Sequence, residues 1–426
     1  MPPRVLLVKP PEKSAFNFGT FSLAVLAAAI RDVADVSLFD ATDLSIAAAT
    51  EAVVSRQPDI VGITAMAMPS VAPVAELARH VRSAIPSVRL VAGGHGGSMA
   101  PGYLLNAGVD VVVLGEGETT FRRLLLEGFE IAIPGVARLS GGQLSIASPI
   151  ALINDLDELP PPARDLMSSP PDGVHLMETS RGCPHACSFC ETTRFYGRRW
   201  RFRSPEAVAE EVRRLVEDFD AWIIEITDDN FAASPRRVLR ICDELRKGPL
   251  PLFFMLSVRA DDLYVRPELI EALVSVRMVR VGIGVETLDP GVAATTGKAI
   301  PLDAYQAVFE NMRQGGAFSL ASFIVGLPGE TPDARRRAVE LAVEAAPDAA
   351  QFVPFHPYPG LPLYGRSDGS PAVEDTRDAE AFTNAFYSNE RTRQRLMQAA
   401  GGDGVRAILA QKILAKSAHL PYEGVC

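Results

Sequence analysis

The stretch Thr179-Ser180-Arg181-Gly182-Cys183-Pro184-His185-Ala186-Cys187-Ser188-Phe189-Cys190 holds three of the chain's five cysteines within eight residues. Cys183, Cys187 and Cys190 have the spacing C-x3-C-x2-C, which lets one loop fold around three corners of an iron–sulfur cube. A [4Fe–4S] cluster normally takes four thiolates, and the spare cysteines, Cys242 and Cys426, are remote in sequence. Three protein ligands would leave one iron open to a small molecule. Zinc is the alternative: it wants four closed ligands, and His185 would have to supply the fourth.

With aromatic Phe189 just before the last cysteine, the motif resembles the radical S-adenosylmethionine superfamily. The resemblance implies that the open iron chelates the amino and carboxylate groups of S-adenosylmethionine. One electron from the cluster then splits the sulfonium bond to give a 5′-deoxyadenosyl radical. The family also implies a flavodoxin or ferredoxin-type electron donor.

A chain of 426 residues is long enough for two or three domains. Its 47% hydrophobic and 22% charged residues are those of an ordinary globular protein. The apolar run Phe21–Ile30 is too short for a membrane span, and Met1-Pro2-Pro3-Arg4 leads straight into a strand-like run with no signal-peptide pattern. A cytoplasmic location is expected. The net charge of −10 argues against a nucleic acid partner. Arg194, Arg198, Arg199, Arg201 and Arg203 crowd the segment after the cysteines. They read either as a solvated rim or as contacts to carboxylate or phosphate groups of a cofactor or substrate.

Residues 1–127 alternate strand-like and helical runs. Strands are expected at Arg4–Val8, Val36–Phe39, Asp59–Thr64, Val88–Ala92 and Asp110–Leu114. Helices are expected at Ser22–Val33, Ala47–Arg56, Val71–Ile85, Gly102–Ala107 and Thr119–Leu126. This is the pattern of an α/β, Rossmann-like doubly wound parallel sheet, which binds ligands beyond the carboxyl ends of its strands. Three loops there stand out: Thr64-Ala65-Met66, Gly93-Gly94-His95-Gly96-Gly97-Ser98 and Gly115-Glu116-Gly117-Glu118. Together they resemble a cobalamin-binding domain, which makes Thr64, Ala65, Met66, Gly93, Gly94, His95, Gly115, Glu116 and Gly117 candidate cobalamin contacts. His95 itself reads best as part of a flexible turn. The loop after the first strand, Lys9–Gly19, lacks the cobalt-ligating histidine of methionine-synthase-type domains. The cobalt's lower face is therefore expected to lack histidine.

Residues 128–172 read as a linker, with a hairpin turning at Gly141-Gly142 and a proline-rich stretch from Leu156 to Pro171. Residues 173–366 read as a partial (β/α)6 barrel, with strands at Val174–Glu178, Trp222–Thr227, Leu252–Ser257, Met278–Val285, Ser319–Val325 and Ala350–Phe355. Reactive residues should sit at the carboxyl ends of these strands. By resemblance, Asp228 or Asp229 would bind the amino group of S-adenosylmethionine, unless they cap the helix near Ser234-Pro235. Ser257 and Arg259 share one face, and Arg259 would fork onto the methionine carboxylate. Glu286 would lie near the ribose and methionine, or be a solvated carboxylate. Gly326 would let adenine approach the backbone, with Ile324 as an apolar contact. His356 and Tyr358 are candidates for proton transfer, or simply turn residues. Cys242 falls on the buried face of a helix. Residues 367–426 read as a short helical cap, and the Phe386-Tyr387 pair resembles the tail of the branch with the anaerobic chlorophyll-ring cyclase and hopanoid methylases.

The reading these features favour is a cobalamin-dependent radical S-adenosylmethionine methyltransferase. It would methylate an unactivated carbon of a small molecule through a 5′-deoxyadenosyl radical and methylcobalamin. One rival keeps both cofactors but performs oxidative cyclisation or ring rearrangement. A tRNA methylthiotransferase would need cysteines in the first domain and a terminal RNA-binding barrel, and the sequence has neither. A non-catalytic cobalamin carrier or sensor is the rival of another class.

Overall fold

The computed structural model describes residues 1–12, 19–150, 152–168, 173–357 and 372–417. They form two compact units, one ending in the proline-rich stretch and one beginning at the strand that opens with Val174.

The first unit is built on seven strands: β1 (Arg4–Lys9), β2 (Asp35–Asp40), β3 (Ile60–Thr64), β4 (Arg89–Gly93), β5 (Val111–Val113), β6 (Val136–Ser140) and β7 (Gln143–Ile146). Their order is β2-β1-β3-β4-β5-β6-β7, with β1 to β5 parallel. Strand β3 is buried at all five positions, because helices cover both faces of the sheet and a parallel strand so placed reads as a continuous apolar run. Helices Phe21–Ile30 and Gly117–Glu127 bury Leu23, Ala27, Phe121 and Leu124 on one face. Helices Ile46–Ser55, Met68–Ala84 and Pro101–Asn106 bury Val53, Val74, Leu77 and Leu104 on the other. The strand order reverses between β1 and β3, which opens a crevice at their carboxyl ends.

The hairpin turning at Gly141-Gly142 forms, with both glycines at positive φ. It pairs antiparallel with β5 and so makes the outer edge of this sheet. Val136 and Ala137 are buried there, whereas all of β7 is exposed.

The second unit contains β8 (Val174–Met177), β9 (Ser180–Arg181), β10 (Arg201–Phe202), β11 (Ile223–Ile226), β12 (Phe253–Val258), β13 (Met278–Glu286), β14 (Phe318–Val325) and β15 (Ala349–Pro354). Six of them form a parallel sheet in the order β8-β11-β12-β13-β14-β15. This chain-order sheet, with β8 and β15 as its edges, is the expected open barrel. Helix starts follow one device: Ser204, Ser234, Asp289 and Thr331 each cap a helix whose first residue is proline. The cap side chain accepts an orphan N–H, and proline has none to lose.

One face of this sheet is packed and the other is not. Alternate residues of β13 and β14 are buried against helices, while the intervening ones are half-exposed. Glu225, Met255, Ser257, Arg280, Ser322 and Gln351 lie on that open face. A closed (β/α)8 barrel fills its interior with bulky apolar side chains; this interior mixes apolar side chains such as Met255 with the polar Glu225, Arg280, Ser322 and Gln351.

The tail forms helices Val373–Ser388, Glu390–Ala400 and Gly404–Ser417. The Tyr387 hydroxyl donates to Ala350 O (2.9 Å) and accepts from Ala350 N (3.2 Å), which ties the first of them to β15. Phe386 is fully buried near Phe352.

Candidate active site

The cysteine loop lies between β9 and the helix Glu191–Tyr196. It starts at Gly182, whose φ of +84° and close approach to Arg199 O leave no room for a side chain: an added Cβ would sit 2.1 Å from that oxygen. The loop is held mainly by side chains from elsewhere in the unit. Asp229 accepts from Gly182 N (3.0 Å) and from the Thr192 hydroxyl (2.7 Å), gripping the loop at both ends. Ser188 donates from its N–H to Thr296 O (3.0 Å) and from its hydroxyl to Thr295 O (2.8 Å). Phe189 joins Val292, Ile324, Leu327 and Phe355 in a small apolar cluster.

Asp228 is 4% exposed and accepts four hydrogen bonds: from Thr179 N (2.7 Å) and Oγ1 (2.5 Å), and from Ser180 N (3.0 Å) and Oγ (2.6 Å). A carboxylate has about four acceptor sites, so these donors saturate it. The expected contact with the amino group of S-adenosylmethionine is therefore replaced, at Asp228, by a positioning task. The capping alternative also fails, because Ser234 caps its own helix.

Arg259 sets its fork on Asp261 (3.0 and 2.8 Å) and points its remaining nitrogen at Cys187 Sγ (3.3 Å). Burial disfavours its charge, but Asp261 and Cys187 more than offset this and its pKa is raised. The fork expected to meet a methionine carboxylate is thus occupied by Asp261, and one N–H faces the cysteine loop. Ser257 stands exposed on the open sheet face. Burial pushes the Cys183 thiol above its usual value and Cys190 up to about 11. Metal binding must therefore displace their protons.

Glu286 ends β13 at a bulge, with φ at +67°. Its Oε1 is 3.0 Å from Lys298 Nζ, and the side chains are only 12% and 6% exposed. The solvated alternative for Glu286 is excluded. Gly284 explains how the pair fits, since an added Cβ there would lie 2.3 Å from Glu286 Oε1 and 2.8 Å from Lys298 Nζ. Gly326, at φ +88°, has a similar cause: an added Cβ would meet the Asp375 carboxylate at 2.2 Å. The close approach expected for adenine is, on that side, taken by the protein itself. Arg335 bonds both Glu330 (2.9 Å) and Asp375 (2.7 Å), locking this turn to the helix Val373–Ser388. His356 is half-buried after β15. Tyr358 lies outside the described residues, as does Cys426.

Within the basic run, Arg201 and Arg203 match neither expectation. Arg201 is buried and stacks on Tyr196, and Arg203 pairs with Glu211. Strand β10 pairs with β9 and returns this segment to the start of the cysteine loop.

In the first unit, the candidate residues collect at the carboxyl ends of β3, β4 and β5. The backbone holds them together: Ala65 N donates to Gly93 O (2.8 Å) and Gly96 N to Ala65 O (3.0 Å). Gly94 has φ +92°, and an added Cβ would lie 2.4 Å from Ala65 O. His95 does not sit in a turn; it belongs to the helix Gly94–Met99, formed because these glycines pack directly on the Thr64–Ala67 backbone. The Ser98 hydroxyl donates to Gly94 O (2.9 Å) and accepts from Gly115 N (3.0 Å). Glu116 is buried and accepts from Ile153 N (2.6 Å). Gly117 opens the helix that follows. Thr64 and Ala65 are buried, while Met66, Gly93, Gly94 and His95 are half-exposed. A rim of small groups at the carboxyl ends of these strands lets a ligand approach the backbone closely.

The donor set fits an iron–sulfur cluster with three protein ligands. Three thiols share one clamped loop, and Cys242 is fully buried in the helix Pro235–Leu245. As placed, no three Cys, His, Asp or Glu side chains converge on a metal-binding point among the described residues. The fit therefore rests on donor chemistry and on the clamp. Sequence reasoning missed Lys298, Asp261 and the open-face pair Glu225 and Arg280. Burial raises the Glu225 pKa, and the Arg280 charge opposes that rise. No helix among the described residues is long and apolar enough to cross a membrane.

Residues 177–342 match the model of the radical SAM superfamily, and residues 12–125 match the B12 binding domain. An uncharacterized methyltransferase of Pyrococcus horikoshii is 33% identical over 383 residues, covering 85% of this chain and 82% of that protein. The anaerobic magnesium-protoporphyrin IX monomethyl ester cyclase of Rubrivivax gelatinosus is 26% identical over 348 residues; the match takes in 78% of this chain and 62% of the cyclase. Among solved structures, the radical S-adenosylmethionine methyltransferase TsrM of Kitasatospora setae superposes with a TM-score of 0.70 at 20% identity, over 84% of this chain and 74% of TsrM. That likeness concerns the fold.

Proposed function

Because this chain belongs to the cobalamin-dependent radical S-adenosylmethionine methyltransferase family, we propose that it methylates an unactivated carbon of a small molecule. It is an enzyme of a [4Fe–4S] cluster, S-adenosylmethionine and cobalamin. When bound, the cluster and S-adenosylmethionine supply the hydrogen-abstracting radical, and cobalamin supplies the methyl group.

The observation that carries the reading is the clamped loop with three thiols and, among the described residues, no fourth thiol beside them. Cys183, Cys187 and Cys190 hold the cluster. Asp228, Asp229 and Ser188 fix the loop, so that the thiols keep their places as charge changes. Arg259 offers an N–H and a positive charge beside Cys187. Glu286 and Lys298, together with Ile324 and Phe189, line the approach to S-adenosylmethionine. Thr64, Ala65, Met66, Gly93, Gly94, His95, Gly115, Glu116 and Gly117 cradle cobalamin. His356 and Tyr358 handle protons. The exposed Ser257 and the half-exposed Glu225, Arg280 and Gln351 support a small, polar-bearing substrate. A flavodoxin or ferredoxin-type protein delivers the electron.

The likeness to the ester cyclase favours a second reading, in which both cofactors serve a cyclisation or rearrangement without methyl transfer. One experiment separates them: the anaerobic, reconstituted protein is reduced with methyl-labelled S-adenosylmethionine and cobalamin. Methyltransfer predicts labelled methylcobalamin together with 5′-deoxyadenosine. Formation of 5′-deoxyadenosine without labelled methylcobalamin would reject methyl transfer. Absence of both would leave a cobalamin carrier.

A further inference from the structure

The second unit carries exposed positive charge on the elements that hold the cysteine loop. Between Thr192 and Pro205, and again between Asn230 and Cys242, the sequence has arginines and no acidic residue. Arg194, Arg198, Arg199 and Arg236 are exposed. Arg198 and Arg236 form no ion pair among the described residues, whereas the neighbouring Arg240 is paired with Glu206 (2.6 Å). The two segments pack together. Arg237 donates from Nε to Arg203 O (3.2 Å), and its guanidinium carbon lies 5.3 Å from the Phe202 ring centre and 5.9 Å from that of Trp200. Phe202 on one segment and Leu239 on the other remain 47% and 40% exposed.

This surface adjoins the cysteine loop. Cys190 is the residue before the helix Glu191–Tyr196, which carries Arg194. The Thr193 hydroxyl donates to His185 O (3.3 Å), the Arg199 carbonyl closes on Gly182, and Arg237 donates to Thr179 O (2.7 Å). Pro184 and Ala186 of the loop itself are exposed. The chain as a whole has a net charge of −10, so an acidic protein is repelled by most of the molecule and steered to this face. Arginine and aromatic side chains around exposed apolar groups are also what protein interfaces enrich. Nucleic acid is the poorer match, because the same net charge repels a long polyanion beyond the patch.

We propose that Arg194, Arg198, Arg199 and Arg236, around Phe202 and Leu239, form the docking surface for an acidic one-electron carrier protein. The inference rests on the cluster proposed above, because a carrier seated here delivers its electron beside the cysteine loop. One electron leaves the carrier and enters the cluster, with no bond made or broken and no proton moved. The arginines steer and orient the encounter, and Phe202 and Leu239 supply its apolar contact.

The test titrates the full-length, anaerobically reconstituted protein with an acidic flavodoxin, and separately with an acidic ferredoxin, by calorimetry at several salt concentrations. Saturable binding of at least one, weakening as salt is added, is expected. The double variant Arg198→Glu, Arg236→Glu should bind it at least about tenfold more weakly, as like charges set face to face imply. Cluster reduction by that carrier should slow by a similar factor, while iron content and reduction by dithionite stay unchanged. Arg336→Glu, the same change of charge at an exposed ion pair on another helix, should bind as the parent does. No saturable binding of either carrier, salt-insensitive binding, or equal binding by the double variant overturns the surface. So does an RNA oligonucleotide that binds the parent more tightly than either carrier and is lost in the double variant. Should the double variant not fold, Arg236→Glu decides alone, since the first turn of a helix favours a negative charge. Binding is read without turnover, so loss of carrier binding with 5′-deoxyadenosine still formed under dithionite rejects this surface and leaves the proposed function standing.

Discussion

The cysteine loop of the second unit and the glycine-rich strand ends of the first both sit at the carboxyl side of a parallel sheet, yet they are held by different means. The cysteine loop is gripped by charged and hydroxyl side chains: Asp228 and Asp229 reach back from the end of β11, and Ser188 reaches the helix Pro290–Thr296. The glycine ends are held backbone to backbone, with Gly94 and Gly96 pressed onto Ala65 and Ala67. A site that must hold metal through changes of charge gains from fixed acceptors that saturate local donors. A crevice for a flat ligand gains from absent side chains. The two regions should therefore fail in different ways.

The largest expected effect is chemical. Cys187→Ala removes one of three thiols, so 5′-deoxyadenosine formation should fall to background while cobalamin still binds, as measured by anaerobic assay and visible absorbance. Next comes Asp228→Ala, which strips four buried donors of their acceptor. It should cost about 3–5 kcal/mol in chemical denaturation and lower the iron content. A matched pair sharpens the contrast. Gly182→Ala and Gly94→Ala each drive a Cβ into a carbonyl oxygen, at 2.1 and 2.4 Å, at an expected cost of about 2–4 kcal/mol. Gly182→Ala should lose iron and keep cobalamin, and Gly94→Ala should do the reverse. Equal loss of both cofactors in either variant would break the comparison.

Much of this was legible in the sequence, for reasons particular residues make plain. The cysteines announce themselves by short covalent spacing, and the strands of both sheets by apolar runs bounded by helical periods. The roles of Asp228 and Asp229 were not legible, because Thr179, Ser180 and Gly182 lie nearly fifty residues earlier and only the fold brings them together. Lys298 was missed because its partner Glu286 takes a positive φ at a bulge, which no local pattern signals. The helix Gly94–Met99 contradicts the low helical propensity of glycine, and tertiary packing on Thr64–Ala67 overrides it. The hairpin at Gly141-Gly142 was legible, but its pairing with β5 was not, since edge pairing leaves little trace in composition.

Smaller effects probe the second unit alone. Lys298→Met leaves Glu286 buried without its cation and should destabilise by about 2–4 kcal/mol, measured by thermal unfolding. Glu225 gives the smallest effect and a sign. Burial raises its folded pKa, so its ionisation opposes folding, and the associated stability is lost as pH rises from the unfolded value through the folded one. Glu225→Gln should therefore stabilise the protein above the ordinary carboxylate range and change nothing below it, in unfolding curves recorded across pH.

The central claim is that three cysteines hold a cube whose remaining iron takes S-adenosylmethionine. It is tested most directly by electron paramagnetic resonance of the anaerobically reconstituted, reduced protein, with and without S-adenosylmethionine labelled with nitrogen-15 at its amino group. A cluster signal that shifts on addition and acquires coupling to the labelled nitrogen is the predicted result. An unchanged signal without that coupling, or zinc in place of iron, would contradict it.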